Sequence, residues 1–433
     1  MAHKILSFLL FVLFATASWG ASLINDTETE RLLNELVAPL AQAAEMPDNR
    51  LRVHIINDND FNAFVRGGED VYVYTGLLTQ IKTPAALQAV IAHELGHTLG
   101  GHMAQMSSRM DAELKRTMLI QALGVGLMVA GGNPSLGAGV LAGSSSVAQQ
   151  SMLAFSRDEE RIADNLGLDL MVRAKLNPNG FIDVFEQMKE LTGAAESKVN
   201  PNRINHPLTT ERLKNVRERI AEIASDYSSS ANDNVRQSEY DLVRAKLIGY
   251  LEPLDRVRNL YPYSDKSDAA LYARAIANMR GGNLDGARMG TQTLISRHPS
   301  NPYFYELLGD IEYQFGHYDD SVIAYEKSLS LFPDAPQIQT ALALVLTERH
   351  RPDDTSRAIE LCKRSLLSDP APLTYWVLSR AYGDDDAGRR DWAMAEFYAA
   401  QGNTERASEY ARRAQKKLKK TDPEYIKSGD LID

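Results

Sequence analysis

The hydrophobic positions in the first part of the chain predict a small sheet among helices. Apolar residues at helical spacing cover 27–44, where Asn25 or Asp26 could cap the helix. Three short β-rich runs follow, at residues 51–56, 62–65 and 70–74. The Gly67-Gly68 pair separates the last two runs and indicates a hairpin. Residues 84–100 then return to helical spacing.

A long uncharged segment separates this region from further helices. Residues 117–156 carry no charged side chain, and Gly131-Gly132-Asn133-Pro134 divides them. The apolar stretch in neither half reaches the length of about eighteen residues that a membrane-spanning helix needs. The segment could form a buried helical hairpin, or a mobile lid or surface that contacts membrane or unfolded substrate. Helical spacing resumes at residues 157–176, 178–192 and 209–223.

The last third of the chain carries an internal repeat. Gly282 and Gly316 lie 34 residues apart, as do Pro299 and Pro333, and this is the period of a helix-turn-helix solenoid. Residues 268–420 therefore resemble a tetratricopeptide array, with a plain helical bundle as the alternative. The concave face of such a solenoid is a natural surface for binding partners.

The first twenty residues predict a secretory signal peptide. Lys4 supplies a positive start, residues 5–15 form an apolar core, and Ser18-Trp19-Gly20 offers a small-residue cleavage site. The core is too short to span a bilayer comfortably. The chain holds a single cysteine, Cys362, so an exported protein of this sequence uses no internal disulfide. These features favour the periplasm of a bacterium.

Composition and charge limit the number of domains and the kinds of partner that we expect. A chain of 433 residues with 44% hydrophobic positions is expected to form more than one globular domain. A polar, serine-rich stretch predicts a linker at 225–240, between a domain at 21–224 and a helical domain at 241–433. The net charge of −10 argues against nucleic-acid binding. Basic residues dominate positions 401–420, which favours a solvated helix or, alternatively, peripheral membrane contact.

One pentapeptide points to metal chemistry. His93-Glu94-Leu95-Gly96-His97 is an H-E-x-x-H motif inside a helical pattern. Histidines at i and i+4 project from one helix face, so His93 and His97 can bind one tetrahedral Zn²⁺. From the same helix, Glu94 can accept a proton from a water in the open coordination position. The motif predicts a hydrolase that binds one Zn²⁺ per chain.

A catalytic zinc needs a third protein ligand. Glu160 and Asp164 lie one helical turn apart, directly after the uncharged segment. Glu160 is the candidate ligand, and Asp164 could accept the far N–H of a zinc-bound histidine. The alternative is a solvated acidic helix start that the helix dipole favours. His102 follows the Gly100-Gly101 pair and should point in a different direction, so we do not expect it to be a ligand.

Three motifs together resemble a known peptidase family. H-E-L-G-H at 93–97, S-R-x-x-E-x-x-A-D at 156–164 and H-P-x-x-x-x-R at 206–212 are similar to the signatures of the M48 zinc metallopeptidases. The resemblance extends over residues 27–223. It implies the following roles: zinc ligands His93, His97 and Glu160, catalytic acid/base Glu94, and Asp164 as the residue that orients a ligand.

The third motif leaves the role of His206 open. His206 or Arg212 could donate a hydrogen bond to the oxyanion that forms during peptide hydrolysis. Alternatively, His206 could occupy the open zinc position and silence the enzyme until substrate displaces it. In a third interpretation the His206-Pro207 pair only caps the helix that begins near Thr209.

These observations predict an α+β zincin-like metallopeptidase domain, mostly helical with a small sheet, followed by an all-α tetratricopeptide solenoid. An exported M48 domain joined to such repeats is similar to periplasmic proteases of outer-membrane protein biogenesis in Gram-negative bacteria. The resemblance implies a zinc endopeptidase that hydrolyses unfolded or misassembled outer-membrane β-barrel proteins, with repeats that dock substrate or the barrel assembly machinery. The alternative is a chaperone or scaffold whose zinc site is structural or latched. Substrate is expected to add as a strand to an exposed sheet edge, at 62–65 or 71–74.

Overall fold

The computed structural model describes residues 22–46, 51–102, 157–193, 206, 209–223 and 231–432. The predicted signal peptide at 1–20 and the uncharged segment at 117–156 lie outside these residues. The described chain forms two units. The sheet unit comprises residues 22–24 and 30–241, and the repeat unit comprises residues 25–29 and 242–432. In the described part, no helix is both long enough and apolar enough to cross a membrane.

A four-stranded mixed sheet lies in the sheet unit, in the order β1-β2-β4-β3. Its strands are β1 (Ser22–Ile24), β2 (Arg52–Asn57), β3 (Ala63–Arg66) and β4 (Asp70–Tyr74). β2 and β4 run parallel, and paired residues such as Ile55 and Val73 are buried on the core face. β3 and β4 pair antiparallel across Gly67 and Gly68, whose φ angles of 63° and 85° favour glycine.

The sheet differs from the sequence prediction in two respects. The sequence does not indicate β1, because its three residues follow the predicted signal peptide and show no alternating pattern of their own. β1 pairs antiparallel with β2. The prediction that residues 71–74 offer an exposed edge is wrong, because β4 lies between β2 and β3. Among the described strands, β3 forms the edge next to β4, and it corresponds to the predicted run at 62–65.

The helices of the sheet unit follow the predicted apolar spacing closely. They are α1 (Thr27–Ala43, from residue 30 onward), α2 (Thr75–Gln80), α3 (Pro84–Leu99), α4 (Arg157–Arg173), α5 (Gly180–Gly193) and α6 (Thr210–Ile223). Asp26 caps α1, since its carboxylate accepts a hydrogen bond from the Thr29 backbone N–H at 2.9 Å. The sequence does not indicate α2, because this helix continues directly from β4 without a turn signal.

A helix begins inside the predicted linker at 225–240, and the division between the two units falls at its end, between residues 241 and 242. This helix is α7 (Ala231–Leu251), so residues 231–240 are helical, whereas residues 224–230 lie outside the described part. Polar contacts and the buried Tyr240 hold the described side chains of this stretch. Arg236 pairs with Glu35, and the Gln237 side-chain amide donates to the Lys82 carbonyl at 2.9 Å.

The repeat unit consists of successive antiparallel helices within its described residues. They are the end of α7, α8 (Leu254–Leu260), α9 (Asp268–Arg280), α10 (Leu284–Arg297), α11 (Pro302–Gln314), α12 (Tyr318–Leu331), α13 (Pro336–Arg349), α14 (Asp354–Ser365), α15 (Pro372–Tyr382), α16 (Ala387–Ala400), α17 (Thr404–Gln415) and α18 (Pro423–Gly429). Gly282 and Gly316 turn the chain between paired helices with φ angles of 79° and 80°. Aromatic residues such as Phe304 and Tyr325 are fully buried between helices.

Candidate metal centre

Helix α3 presents both histidines of the H-E-x-x-H motif on one face. The Thr83 hydroxyl accepts a hydrogen bond from the Ala86 N–H at 3.1 Å, and Pro84 occupies the first turn, so the start of the helix is fixed. His93 and His97 follow one turn apart, and both are buried. Their Nε2 atoms lie 3.1 Å from each other.

Helix α4 crosses α3 at a short distance because two glycines leave room for the backbones. A Cβ atom on Gly96 would lie 2.4 Å from the Ala163 carbonyl oxygen. A Cβ atom on Gly167 would lie 3.0 Å from the Ala92 carbonyl group. Any larger residue at either position would therefore push the two helices apart.

This crossing buries the carboxylates of α4 against the histidines of α3. Glu160 is 0% exposed and Asp164 is 4% exposed, whereas Asp158 in the same first turn is exposed. A solvated acidic helix start, the alternative left open by the sequence, therefore describes Asp158 and does not describe Glu160 or Asp164.

Four side chains each direct one ligand atom toward a common region. The ligand atoms of His93, His97, Glu160 and His206 lie within 4.8 Å of one another. His93 Nε2 is 3.4 Å from Glu160 Oε2 and 3.3 Å from His206 Nδ1. His97 Nε2 is 3.7 Å from Glu160 Oε1. With zinc–ligand bonds of about 2.0–2.1 Å, the ligand atoms of a tetrahedral site lie about 3.3 Å apart, which matches this spacing.

Asp164 and Arg212 support the cluster from its outer side. His93 Nδ1 lies 3.0 Å from Asp164 Oδ1, and an ionised carboxylate only accepts, so Asp164 favours a proton on Nδ1 and, in the neutral ring, a lone pair on Nε2. Arg212 donates from Nε and Nη2 to Asp164 at 2.8 Å each. Its Nη1 lies 2.6 Å from Glu160 Oε2. The guanidinium of Arg212 therefore binds both carboxylates, which argues against a role as hydrogen-bond donor to the oxyanion.

His206 connects the cluster to Glu94. Its Nδ1 lies 2.8 Å from Glu160 Oε1, and its Nε2 lies 3.3 Å from Glu94 Oε1. Glu94 is buried, and the His206 side chain is 17% exposed. Both ring nitrogens of His206 therefore face residues of the predicted site.

His102 lies next to His97 and outside the set of converging ligand atoms. The two Nδ1 atoms are 3.0 Å apart, and His102 is buried. Gly101 turns the chain back with a φ angle of 68°, and a Cβ atom on Gly100 would lie 2.7 Å from His102 Nε2. The sequence does not indicate this contact, because the two glycines end the helical periodicity on which an i, i+4 argument depends.

Burial and mutual contacts shift the pKa values of the cluster residues in different directions. Burial opposes the charged form of His93, yet hydrogen bonds to Asp164 and Glu160 raise its pKa to about 9. Burial and the neighbouring imidazoles of His93 and His206 lower the pKa of His97 to about 2. Burial would raise the pKa of Glu160, but hydrogen bonds with His206 and His93 lower it. Glu160 is therefore an anion, and His97 offers a neutral nitrogen.

The donor set fits a divalent metal ion of the zinc type. Imidazole nitrogens and a carboxylate oxygen are the ligands of catalytic zinc sites. When both neutral rings carry their proton on Nδ1, their Nε2 lone pairs face each other at 3.1 Å and need a cation between them. A proton on His93 can meet that need, and a metal ion would compete with this proton.

A cleft opens beside the cluster. It encloses about 620 Å³ of free space, including the part open to solvent. His93, Glu94, Asp164, His206 and Arg212 form its polar side. Side chains from β3, α2, α3, α5 and the segment before β3 form the rest of its wall, so the reactive residues are accessible to a ligand from this side.

Comparison with known proteins decides the family of this site. A model described as Peptidase family M48 matches residues 27–220, and a tetratricopeptide repeat model matches residues 269–301. The chain contains an M48 metallopeptidase domain. M48 metallopeptidases use zinc, which agrees with the His93, His97, Glu160 and His206 cluster. The predictions of a zinc metallopeptidase and of a domain followed by a tetratricopeptide solenoid are confirmed.

The curated relatives match this chain over different lengths. The β-barrel assembly-enhancing protease of Escherichia coli K12 is 25% identical over 403 residues, which cover 90% of this chain and 79% of the relative. The mitochondrial metalloendopeptidase OMA1 of Schizosaccharomyces pombe is 29% identical over 192 residues, 44% of this chain and 52% of that protein. The solved structure of a tetratricopeptide protein from Thermus thermophilus matches this chain at 17% identity and a TM-score of 0.26. The match covers 44% of this chain and 92% of that structure's chain.

Proposed function

We propose that this protein is a zinc-dependent endopeptidase of the bacterial periplasm that hydrolyses misfolded or misassembled outer-membrane proteins. The observation that carries the enzymatic part is the convergence of ligand atoms from α3, α4 and His206 beside buried Glu94 and an open cleft. The name of the E. coli relative, which aligns with 90% of this chain, supports β-barrel precursors as substrates. The predicted signal peptide supports export to the periplasm.

In this proposal His93, His97 and Glu160 hold the zinc ion, and Asp164 orients His93. His102 positions His97 in the same manner, because His97 Nδ1–H can donate to His102 Nδ1 at 3.0 Å, which leaves the lone pair on His97 Nε2. When bound, zinc polarises the scissile carbonyl and lowers the pKa of a bound water to about 7. The supporting contacts keep each Nε2 lone pair directed into the cluster.

Glu94 is the proposed acid/base. Burial raises the pKa of its carboxyl group, which makes the carboxylate a stronger proton acceptor near neutral pH. The same carboxyl group can return the proton to the leaving amine. His206 Nε2, at 3.3 Å from Glu94 Oε1, can keep the carboxylate aligned or donate to the developing oxyanion.

The remaining parts of the chain supply binding surfaces. Strand β3 carries the sheet edge next to β4, where an extended substrate segment can add by backbone hydrogen bonds. The concave face of the repeats can dock substrate or the barrel assembly machinery. The E. coli relative is named for barrel assembly, and this name supports a protein partner of that kind.

A second candidate function is a chaperone or scaffold whose zinc site is latched. The position of His206 favours it, because Nδ1 lies with the other ligand atoms and would complete four protein ligands. A tetrahedral site with four protein ligands has no position for water and is inert. Under this alternative the repeats perform the function, and Glu94 is dispensable for it.

A Glu94→Gln variant distinguishes the two functions. Purified wild-type and variant protein are compared for casein digestion, with zinc and with a chelator, and for complementation of a deletion strain. Glu190→Gln on the exposed side of α5 is the matched control. The proposal expects the E94Q variant to lose digestion by a factor of about 10² or more, and to lose complementation. Complementation by E94Q without proteolysis would support the scaffold instead.

A further inference from the structure

The cleft beside the metal cluster has a wall that the chemistry of the cluster does not use. Helix α5 faces it with Phe181, Val184, Phe185 and Met188, at positions i, i+3, i+4 and i+7 of one helix face. Phe61, just before β3, lines the same space. These side chains form a continuous apolar surface opposite the catalytic residues.

Two residues of the apolar wall are buried, and two at its rim remain partly accessible to solvent. Phe181 and Phe185 are 3% and 5% exposed, so they are packed in place before any ligand arrives. Val184 and Met188 are half-buried and can still lose accessible surface when a ligand enters.

The charged groups at the cleft do not select for a charged ligand. Arg212 lies over the Phe185 ring at 5.2 Å, but its guanidinium binds Asp164 and Glu160. An acidic side chain would therefore have to compete with two buried carboxylates for this cation. Burying a charge without a partner costs far more than burying an apolar side chain gains, so an apolar ligand fits best.

We propose that this cleft holds the substrate side chain adjacent to the scissile bond, and that it selects large apolar residues such as Leu, Met and Phe. The inference rests on the proposed peptidase function and names its substrate class. We expect substrate to occupy this cleft, because Glu94 and His93 line the same space as Phe181 and Phe185. Strands of membrane β-barrels carry an apolar side chain at every second position, so unassembled strands supply such residues.

Two measurements test the pocket independently of each other. The first is binding of fluorescent decapeptides, with Leu, Phe, Ala, Asp or Lys at the central position, to the zinc-loaded Glu94→Gln protein by anisotropy. The second is cleavage of the same peptides by wild-type protein, with the cut position read by mass spectrometry. Val184→Phe narrows the rim of the cleft, and Val172→Phe on α4, which does not line it, is the matched control.

The expected result is a preference for Leu and Phe over Ala, Asp and Lys of at least about tenfold, in binding and in kcat/KM. Val184→Phe should reduce this preference about tenfold, whereas Val172→Phe should leave it at the wild-type value. Equal cleavage of all five peptides would overturn the pocket and leave the peptidase intact. Apolar preference in binding without any cleavage would support the pocket and overturn the peptidase.

Discussion

The sheet unit and the repeat unit each bury several carboxylates, and they differ in the source of the compensating positive charge. In the repeat unit Lys246 is buried, and its Nζ lies 2.5 Å from Asp26, 3.3 Å from Glu28 and 3.4 Å from Glu306. Tyrosine hydroxyls complete that network, as Tyr272 donates to Glu28 at 2.8 Å. The cation of this cluster is therefore part of the chain.

In the sheet unit the atoms that converge at the centre of the cluster are imidazole nitrogens and a carboxylate oxygen, which are ligands for a metal ion. Arg212 neutralises the outer faces of Glu160 and Asp164, but the inward atoms of His93, His97 and Glu160 face one another. The difference between the two regions shows that burial of charge alone does not define a functional site. A site for an external cation is recognised by nitrogen and oxygen ligand atoms that converge from several elements at the spacing a metal ion requires.

Removal of the built-in cation should have the largest effect on stability. Lys246→Met leaves Asp26, Glu28 and Glu306 buried without their partner, and we expect the repeat unit to lose about 3–5 kcal/mol of unfolding free energy. Amide hydrogen exchange of α11 and α12 measures this loss. Exposed Lys416→Met should change stability by less than about 0.5 kcal/mol. An unchanged exchange rate in the K246M variant would show that the network contributes nothing to folding.

Addition of the external cation should stabilise only the sheet unit. At a free zinc concentration of about one hundred times Kd, the expected gain is about 2.7 kcal/mol. Hydrogen exchange of α3 and α4 should slow accordingly, and a chelator should reverse the effect. Exchange of α11 and α12 should be the same with and without zinc. Equal protection of both units would mean that zinc binds without specificity for the cluster.

The support behind His97 should have a smaller effect than a ligand. His102→Ala removes the Nδ1 contact that orients the His97 ring, and we expect zinc affinity to fall about 10- to 100-fold with the fold retained. Competition with a fluorescent chelator measures the affinity. His54→Asn, on β2 of the same unit and paired with Asp70, is the control. Wild-type affinity in the H102A variant would contradict the positioning role.

The pH dependence of the repeat unit should show the smallest effect. Burial raises the pKa of Glu306 above its ordinary value of 4.5, although Lys246 partly offsets this. Above pH 4.5 the unfolded chain releases a proton that the folded carboxyl group retains, so stability falls as pH rises toward the folded pKa. The slope is at most about 1.4 kcal/mol per pH unit. Glu306→Gln should flatten it in urea titrations, and exposed Glu405→Gln should not.

The sequence predicts those parts of the metal centre that depend on local periodicity. His93 and His97 lie one turn apart on one helix, and Glu160 and Asp164 share a face in the same way. The 34-residue period of Gly282 and Gly316 predicts the repeats for a similar reason. Each of these patterns is set by the geometry of a single helix or helix pair.

The remaining features depend on contacts between distant residues and have no local signature. The close crossing of α3 and α4 depends on Gly96 against Ala163, and neither residue alone is unusual in its helix. Lys246 contacts Asp26, which lies 220 positions away in the chain, and nothing near Lys246 in sequence distinguishes it from an exposed lysine. The contact of His102 with His97 depends on a turn that interrupts the helical spacing.

Zinc titration of metal-free protein tests the central claim most directly. Isothermal calorimetry should give one zinc ion per wild-type chain. Glu160→Gln should weaken zinc binding more than about 100-fold, because it removes the only carboxylate ligand proposed for the ion. Asp158→Asn, on the exposed side of the same helix turn, should bind zinc like the wild type. Wild-type zinc affinity in the E160Q variant would contradict the proposed metal centre.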